Sequence, residues 1–181
     1  MLVIALVTTL IASTSRDAAA RPLSRTYVSA QHRFTVKLPL GWERVAPTSP
    51  NDFAELRFRH LNPVVNGFYQ VYEGAPFNDP QAWYEDARRR YDQAARVLGG
   101  VRSIHFSDLA VATMGGRAAY SFGFVLSFAQ GPPVANHVVF LMRHSGTRVD
   151  VHEIMLTGTV AAMIASKNDI DALLASVSFT P

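Results

Sequence analysis

The 181-residue sequence contains no cysteine. That excludes a thiol nucleophile, disulfide staples, thiolate metal sites and a lipid-anchoring cysteine. Lysine is nearly as scarce. Only Lys37 and Lys167 stand among 17 basic residues, so arginine carries the formal charge of +3, a bias that reflects genomic base composition rather than a nucleic-acid footprint. Catalytic motifs are missing as well. There is no G-x-S-x-G elbow to expose a nucleophilic serine and no glycine-rich phosphate loop, and the H-E-x-x-H pattern begun by His152 and Glu153 fails at Leu156. No internal repeat or low-complexity segment interrupts the chain.

What is present is enough for one domain. With 49% hydrophobic and 10% aromatic residues, a chain of this length can bury a full core without staples. The N-terminal apolar run, Leu2 to Ala12, has eleven residues, well short of the ~20 that span a bilayer. It fits the core of an export signal. Ala18 and Ala20 are the small residues that a signal peptidase needs, so residues 1–20 are expected to be a signal peptide, cleaved after Ala20, with residues 21–181 as a single domain. The mature protein is then expected in the periplasm or outside the cell, with no stable membrane span. Without cleavage, a cytosolic chaperone-like adaptor is the alternative.

Beyond residue 30, strand and helix patterns alternate. Strands are predicted over 33–38, 53–60 and 68–73, with Ala54, Leu56 and Phe58 sharing one face of the second. The best-marked helix opens with Asp79 as N-cap and Pro80 in its first turn, and closes at Gly99 and Gly100. Its buried stripe is Tyr84, Ala87, Tyr91, Ala95 and Leu98. The run Arg88, Arg89, Arg90 on the same helix is self-neutralised: Glu85, Asp86 and Asp92 each precede an arginine by four residues. Nucleic acid is therefore not an expected partner.

Strands 103–114 and 117–128 flank Gly115-Gly116, a two-residue hairpin turn. In the second strand Tyr120, Phe122, Phe124, Leu126 and Phe128 form a core face. The opposite face, Ala119, Ser121, Gly123, Val125 and Ser127, is small enough to admit a helix or a ligand, and a helix is expected. Two more strands, 134–144 and 148–157, are joined by Ser-Gly-Thr. A closing helix, started near Val160 and firmer from Asn168, buries Met163, Ile170, Leu173, Leu174 and Val177. The predicted class is α+β: an antiparallel sheet of about seven strands with helices on its faces, an α/β/α sandwich.

One stretch is more specific. In "FTVKLPLGW" a strand runs into Pro39, Gly41 and Trp42. Proline ends the ladder for lack of an N–H, glycine allows the turn, and tryptophan folds back as an apolar plug. The pattern Phe34, Val36, Leu38, Pro39, Gly41, Trp42 resembles the first strand of the PsbP-like and DcrB-like superfamily. "MGGRAAYSFGF" and "LLASVSF" are similar to its later strand entry and closing helix, so the resemblance covers roughly residues 27–180. It implies an antiparallel sheet between helices and members that mostly work by binding other proteins, among them envelope lipoproteins, photosystem-associated proteins, small-GTPase regulators and toxin chaperones.

Two functions follow. The first is an exported, non-catalytic binding or accessory module without a cofactor, acting on a protein partner in the envelope or on a small ligand. The second is a hydrolase or metal-binding protein centred on the last hairpin. With Ser145-Gly146 as its turn, His152 falls opposite Val139 and Ile154 opposite His137, which makes His137 and His152 diagonal neighbours beside Arg143, Arg148 and Asp150. Two imidazoles and a carboxylate could bind zinc or move protons. The plainer reading is a polar face with Asp150 paired to Arg143 or Arg148. His32, His60 and His105 have no evident partner in the sequence.

Overall fold

The computed structural model describes residues 25–47 and 52–180, so the proposed signal peptide lies outside the described residues. The elements are β1 (Thr26–Ser29), β2 (Phe34–Lys37), β3 (Trp42–Val45), β4 (Leu56–Leu61), β5 (Val64–Tyr72), α1 (Pro80–Val97), β6 (Val101–Phe106), β7 (Ala110–Met114), β8 (Arg117–Phe128), β9 (Val134–Ser145), β10 (Arg148–Thr159), α2 (Val160–Ala165), α3 (Lys167–Ala175) and β11 (Val177–Phe179). The seven-strand expectation gives way to two antiparallel sheets. Eight strands form the large one, in the order β3-β4-β5-β10-β9-β8-β6 with β7 also on β8; β1, β2 and β11 form the small one.

Pro39 and Gly41 make the division. The Trp42 N–H donates to the Pro39 carbonyl at 3.2 Å, and Gly41 turns at φ +87°. There is no room there for a side chain: a Cβ on Gly41 would lie 2.7 Å from the His60 ring. The chain therefore leaves the small sheet after β2 and re-enters as the edge of the large one. Trp42 is only 3% exposed, as a plug should be, but it opens β3 rather than folding back from a loop. Its indole N–H donates to the Asp169 carbonyl of α3 at 3.2 Å, and its ring meets Phe58 edge-on at 5.5 Å.

Each face of the large sheet has its own core. On one face Tyr69, Ile154 and Leu156 pack with Phe34 and Val36 of the small sheet and with Leu173 of α3. On the other, Phe122, Phe140 and Val151 pack with Trp83, Ala87 and Tyr91 of α1. The N-cap of α1 is as expected, Asp79 accepting from the Ala82 N–H at 3.0 Å, whereas the helix ends at Val97 with Leu98, not Gly99, as its C-cap. Trp83 and Ala94 extend its buried stripe, whereas Leu98 is only half-buried. Asp86 takes both Arg89 and Arg90 at 2.9 Å, and Asp92 takes Arg96, but Glu85 bonds to Gln81 rather than to Arg89.

Three further expectations change. The strand predicted over 103–114 is two strands, because the Ser107 Oγ accepts from the Gly123 N–H at 2.8 Å and turns the chain off β8 before β7 rejoins it. The closing helix is α2 and α3 meeting at Ser166, with Thr159 capping α2 through the Ala162 N–H. Val177 is buried, but in β11. The Gly115-Gly116 hairpin is as predicted, with Met114 opposite Arg117 and both glycines at positive φ.

Candidate functional site

The last hairpin turns on Gly146 and Thr147 instead of Ser145 and Gly146. Ser145 pairs with Arg148, and Gly146, at φ +60°, takes the first central position, where a type II′ turn needs glycine. The register moves by two residues. Faces are kept but neighbours change: His152 lies opposite Leu141, and His137 opposite Leu156. The two histidines are thus four residues apart along β10, about 13 Å at the rise of a strand. Among the described residues no group of three or more His, Asp or Glu is placed to hold a metal ion. Melting curves with zinc and with chelator should therefore coincide, for the wild type and for the His137→Ala, His152→Ala double variant alike. A chelator-sensitive melt seen only in the wild type would restore the metal reading.

The remaining hairpin residues form a structural network. Arg148 donates to Asp150 and to Glu73, both at 2.8 Å. Burial pushes the Asp150 carboxyl up, but its bonds from Arg148 and the Gly74 N–H outweigh that and hold it below its ordinary value. Arg143 is not paired to Asp150; it donates to the carbonyls of His32 and Thr180 at 3.2 Å, pinning the small sheet to β9. His152 sits against Phe34 and Phe179 and hydrogen-bonds the Tyr69 hydroxyl at 3.0 Å. Burial, with Arg143 and His32 nearby, pushes its pKa down to about 4, so it is neutral at pH 7. His32 and His60 do have partners: His32 meets Glu55 at 3.1 Å and Glu73 at 3.5 Å, and His60 meets the Pro63 carbonyl at 3.0 Å.

Sequence reasoning missed a buried carboxylate on the other face. Glu153 is 0% exposed. It accepts from Gln70 at 2.7 Å and from the Tyr91 hydroxyl at 3.0 Å. Arg90, stacked over the rings of Tyr72 and Trp83, faces the same cluster. Burial raises the Glu153 pKa against the pull of Arg90 and these bonds. A glutamate at the same strand parity as Val151 and Met155 was the available signal.

The α2–α3 pair stands over β9 and β8 and leaves a groove of about 1020 Å³. Its floor is the small face of β8, Ser121, Gly123 and Val125, with Ala135, His137 and Val139 of β9. The wall is Met163 and Ile164 of α2 and Lys167, Ile170, Asp171 and Leu174 of α3; His105 and Ser107 form the low outer rim. The helix expected on the small face of β8 covers only its Ala119 end, where the Leu174 carbonyl accepts from the Gly115 N–H at 2.9 Å. The rest is left uncovered. Of the five hairpin residues picked from the sequence, only His137 lines this groove. Burial lowers its pKa, opposed by Asp171 and assisted by Lys167.

No protein-family model matches the chain, and no curated protein does. Solved structures do match. LpqN of Mycobacterium tuberculosis, described as involved in cell envelope biogenesis, superposes with a TM-score of 0.58 at 14% identity, over 86% of this chain and 90% of that one. The cyanobacterial PsbP (CyanoP) of Synechocystis sp. PCC 6803 gives 0.59 at 11% identity, over 91% and 98%. The Ran-binding protein Mog1p of Saccharomyces cerevisiae gives 0.57 at 9% identity, over 87% and 96%. The chain has the PsbP-like fold. No helix among the described residues is long and apolar enough to cross a membrane.

Proposed function

We propose that this protein is an exported, non-catalytic binding module that takes its ligand or partner in the groove between α2–α3 and the small-residue face of β8 and β9. The observation that carries the reading is the groove itself: about 1020 Å³ of concave space on a sheet face whose side chains are small. That is the upper end of the size range of small-molecule sites. The titratable side chains elsewhere on that face are occupied with one another, as Arg148 is with Asp150 and His152 with Tyr69. Two similar structures support the class of function: one is described as involved in envelope biogenesis and another as Ran-binding.

The absence of cysteine gives a direct test, because a single introduced thiol is a unique attachment point. Ser121→Cys places a benzophenone photocrosslinker on the groove floor, and Arg89→Cys places it on α1, across the sheet. Irradiation in the native cell envelope should give a discrete adduct from position 121 and none from 89. Equal labelling at both positions, or none at 121, would remove the groove as the binding site. Export is tested by intact mass from the native host. The chain should begin at Arg21; a cytosolic protein retaining Met1 would favour the adaptor alternative.

A further inference from the structure

The strand register divides the groove along its length. Gly123 pairs with His137, and Ser107 continues the same row by accepting from the Gly123 N–H and donating to its carbonyl. Lys167 and Asp171 of α3 line the same groove as His137. Ser121, in the next row, borders it. A belt of hydrogen-bonding groups therefore crosses the groove at mid-length. On one side of the belt the groove is lined by Val125 and Ala135 of the floor and by Met163 and Ile164; on the other by Ala112 and Thr113 of β7 beside Leu174 and Ala175, with Val139 and Ile170 buried beneath.

The belt offers hydrogen bonds but no net charge. Lys167 and Asp171 form a salt bridge at 2.5 Å, and burial favours the neutral form of His137. An ionic head placed there would lose hydration without gaining an unpaired counter-charge. A neutral donor or acceptor would lose little, and apolar segments on either side would leave water against Val, Ile, Leu and Met side chains.

We propose that the groove binds an uncharged, largely apolar molecule whose hydrogen-bonding group, an amide, ester or hydroxyl, lies part-way along it and is read by His137. This rests on the groove being the binding site. The probes are compounds of matched chain length below their micellar concentrations, titrated calorimetrically into the mature protein: N-hexylhexanamide with a central neutral group, dodecanoate with a terminal anion, and dodecyltrimethylammonium with a terminal cation. The amide should bind at least tenfold more tightly than either ion. His137→Phe, which keeps a flat ring and removes its polar atoms, should erase most of that preference. Ser121→Trp should block all binding. Ile164→Asp sits on an exposed wall residue, 72% accessible, so it spares the fold and should weaken the amide by about tenfold or more.

Equal or tighter binding of an ion, or no amide binding, overturns the ligand class. If position 121 nevertheless crosslinks a charged or proteinaceous occupant, the groove stands and only the chemistry falls. Amide binding that survives both Ser121→Trp and Ile164→Asp places the site elsewhere and removes both proposals.

Discussion

Trp42→Ala should cost the protein about 3–5 kcal/mol, the range for truncating a large buried aromatic. The residue does three things at once. It fills the core between Phe58 and His60, it holds α3 through the Asp169 carbonyl, and it starts the edge strand β3 opposite His60. Urea denaturation measures the loss. Trp42→Phe, which keeps much of the packing and removes the indole N–H, should lose markedly less. A loss below about 1 kcal/mol for the alanine variant would show that α3 and β3 hold together without it.

Glu153 should give the second large effect. Glu153→Ala removes the acceptor of Gln70 and Tyr91, and orphaned buried donors cost about 1–3 kcal/mol each. Glu153→Gln distinguishes the role of charge from that of shape. Because the folded protein holds this carboxyl above its ordinary pKa, chiefly by burial, folding favours the neutral form. Its contribution is full below the unfolded-state value, near ~4.3, and falls as pH rises through the elevated folded value. Glutamine stays neutral throughout. The stability difference between the Glu153→Gln variant and wild type should therefore shift in favour of the variant as pH is raised from about 4 to about 8, measured as denaturation midpoints across that range. A difference independent of pH would mean that Glu153 is ionised throughout, held by Arg90.

Much of the fold was legible where the signal is local. Asp79-Pro80 fixed the start of α1 through a cap that needs only adjacent residues, and Gly115-Gly116 marked a turn whose two positive φ values suit glycine. The partners of β1 and β11 were not legible, because four-residue and three-residue strands have too little pattern to announce a neighbour far away in sequence. The hairpin register failed for another reason. Ser-Gly and Gly-Thr are both two-residue turns, and moving Gly146 from second to first place changes which residues meet without moving any of them to the other face. The groove was half visible. Ser121, Gly123 and Val125 stood out as a small face, but whether a helix or open space would meet it depended on where α2 and α3 end, a tertiary matter.

The small sheet also sets the order in which the molecule can be completed. Phe34 pairs with Phe179 and Val36 with Val177, partners more than 140 residues apart, so loop closure is costly and this contact is among the slowest the chain can make. During synthesis β2 waits on one edge for β11, which emerges more than 140 residues later. Arg143 reaches the Thr180 carbonyl and so fastens that final strand to the body of the protein. A chain ending before Val177 would keep the large sheet's sequence intact and still leave Phe34 and Val36 with an unpaired backbone edge. It would present to chaperones and proteases a seam that β11 otherwise seals.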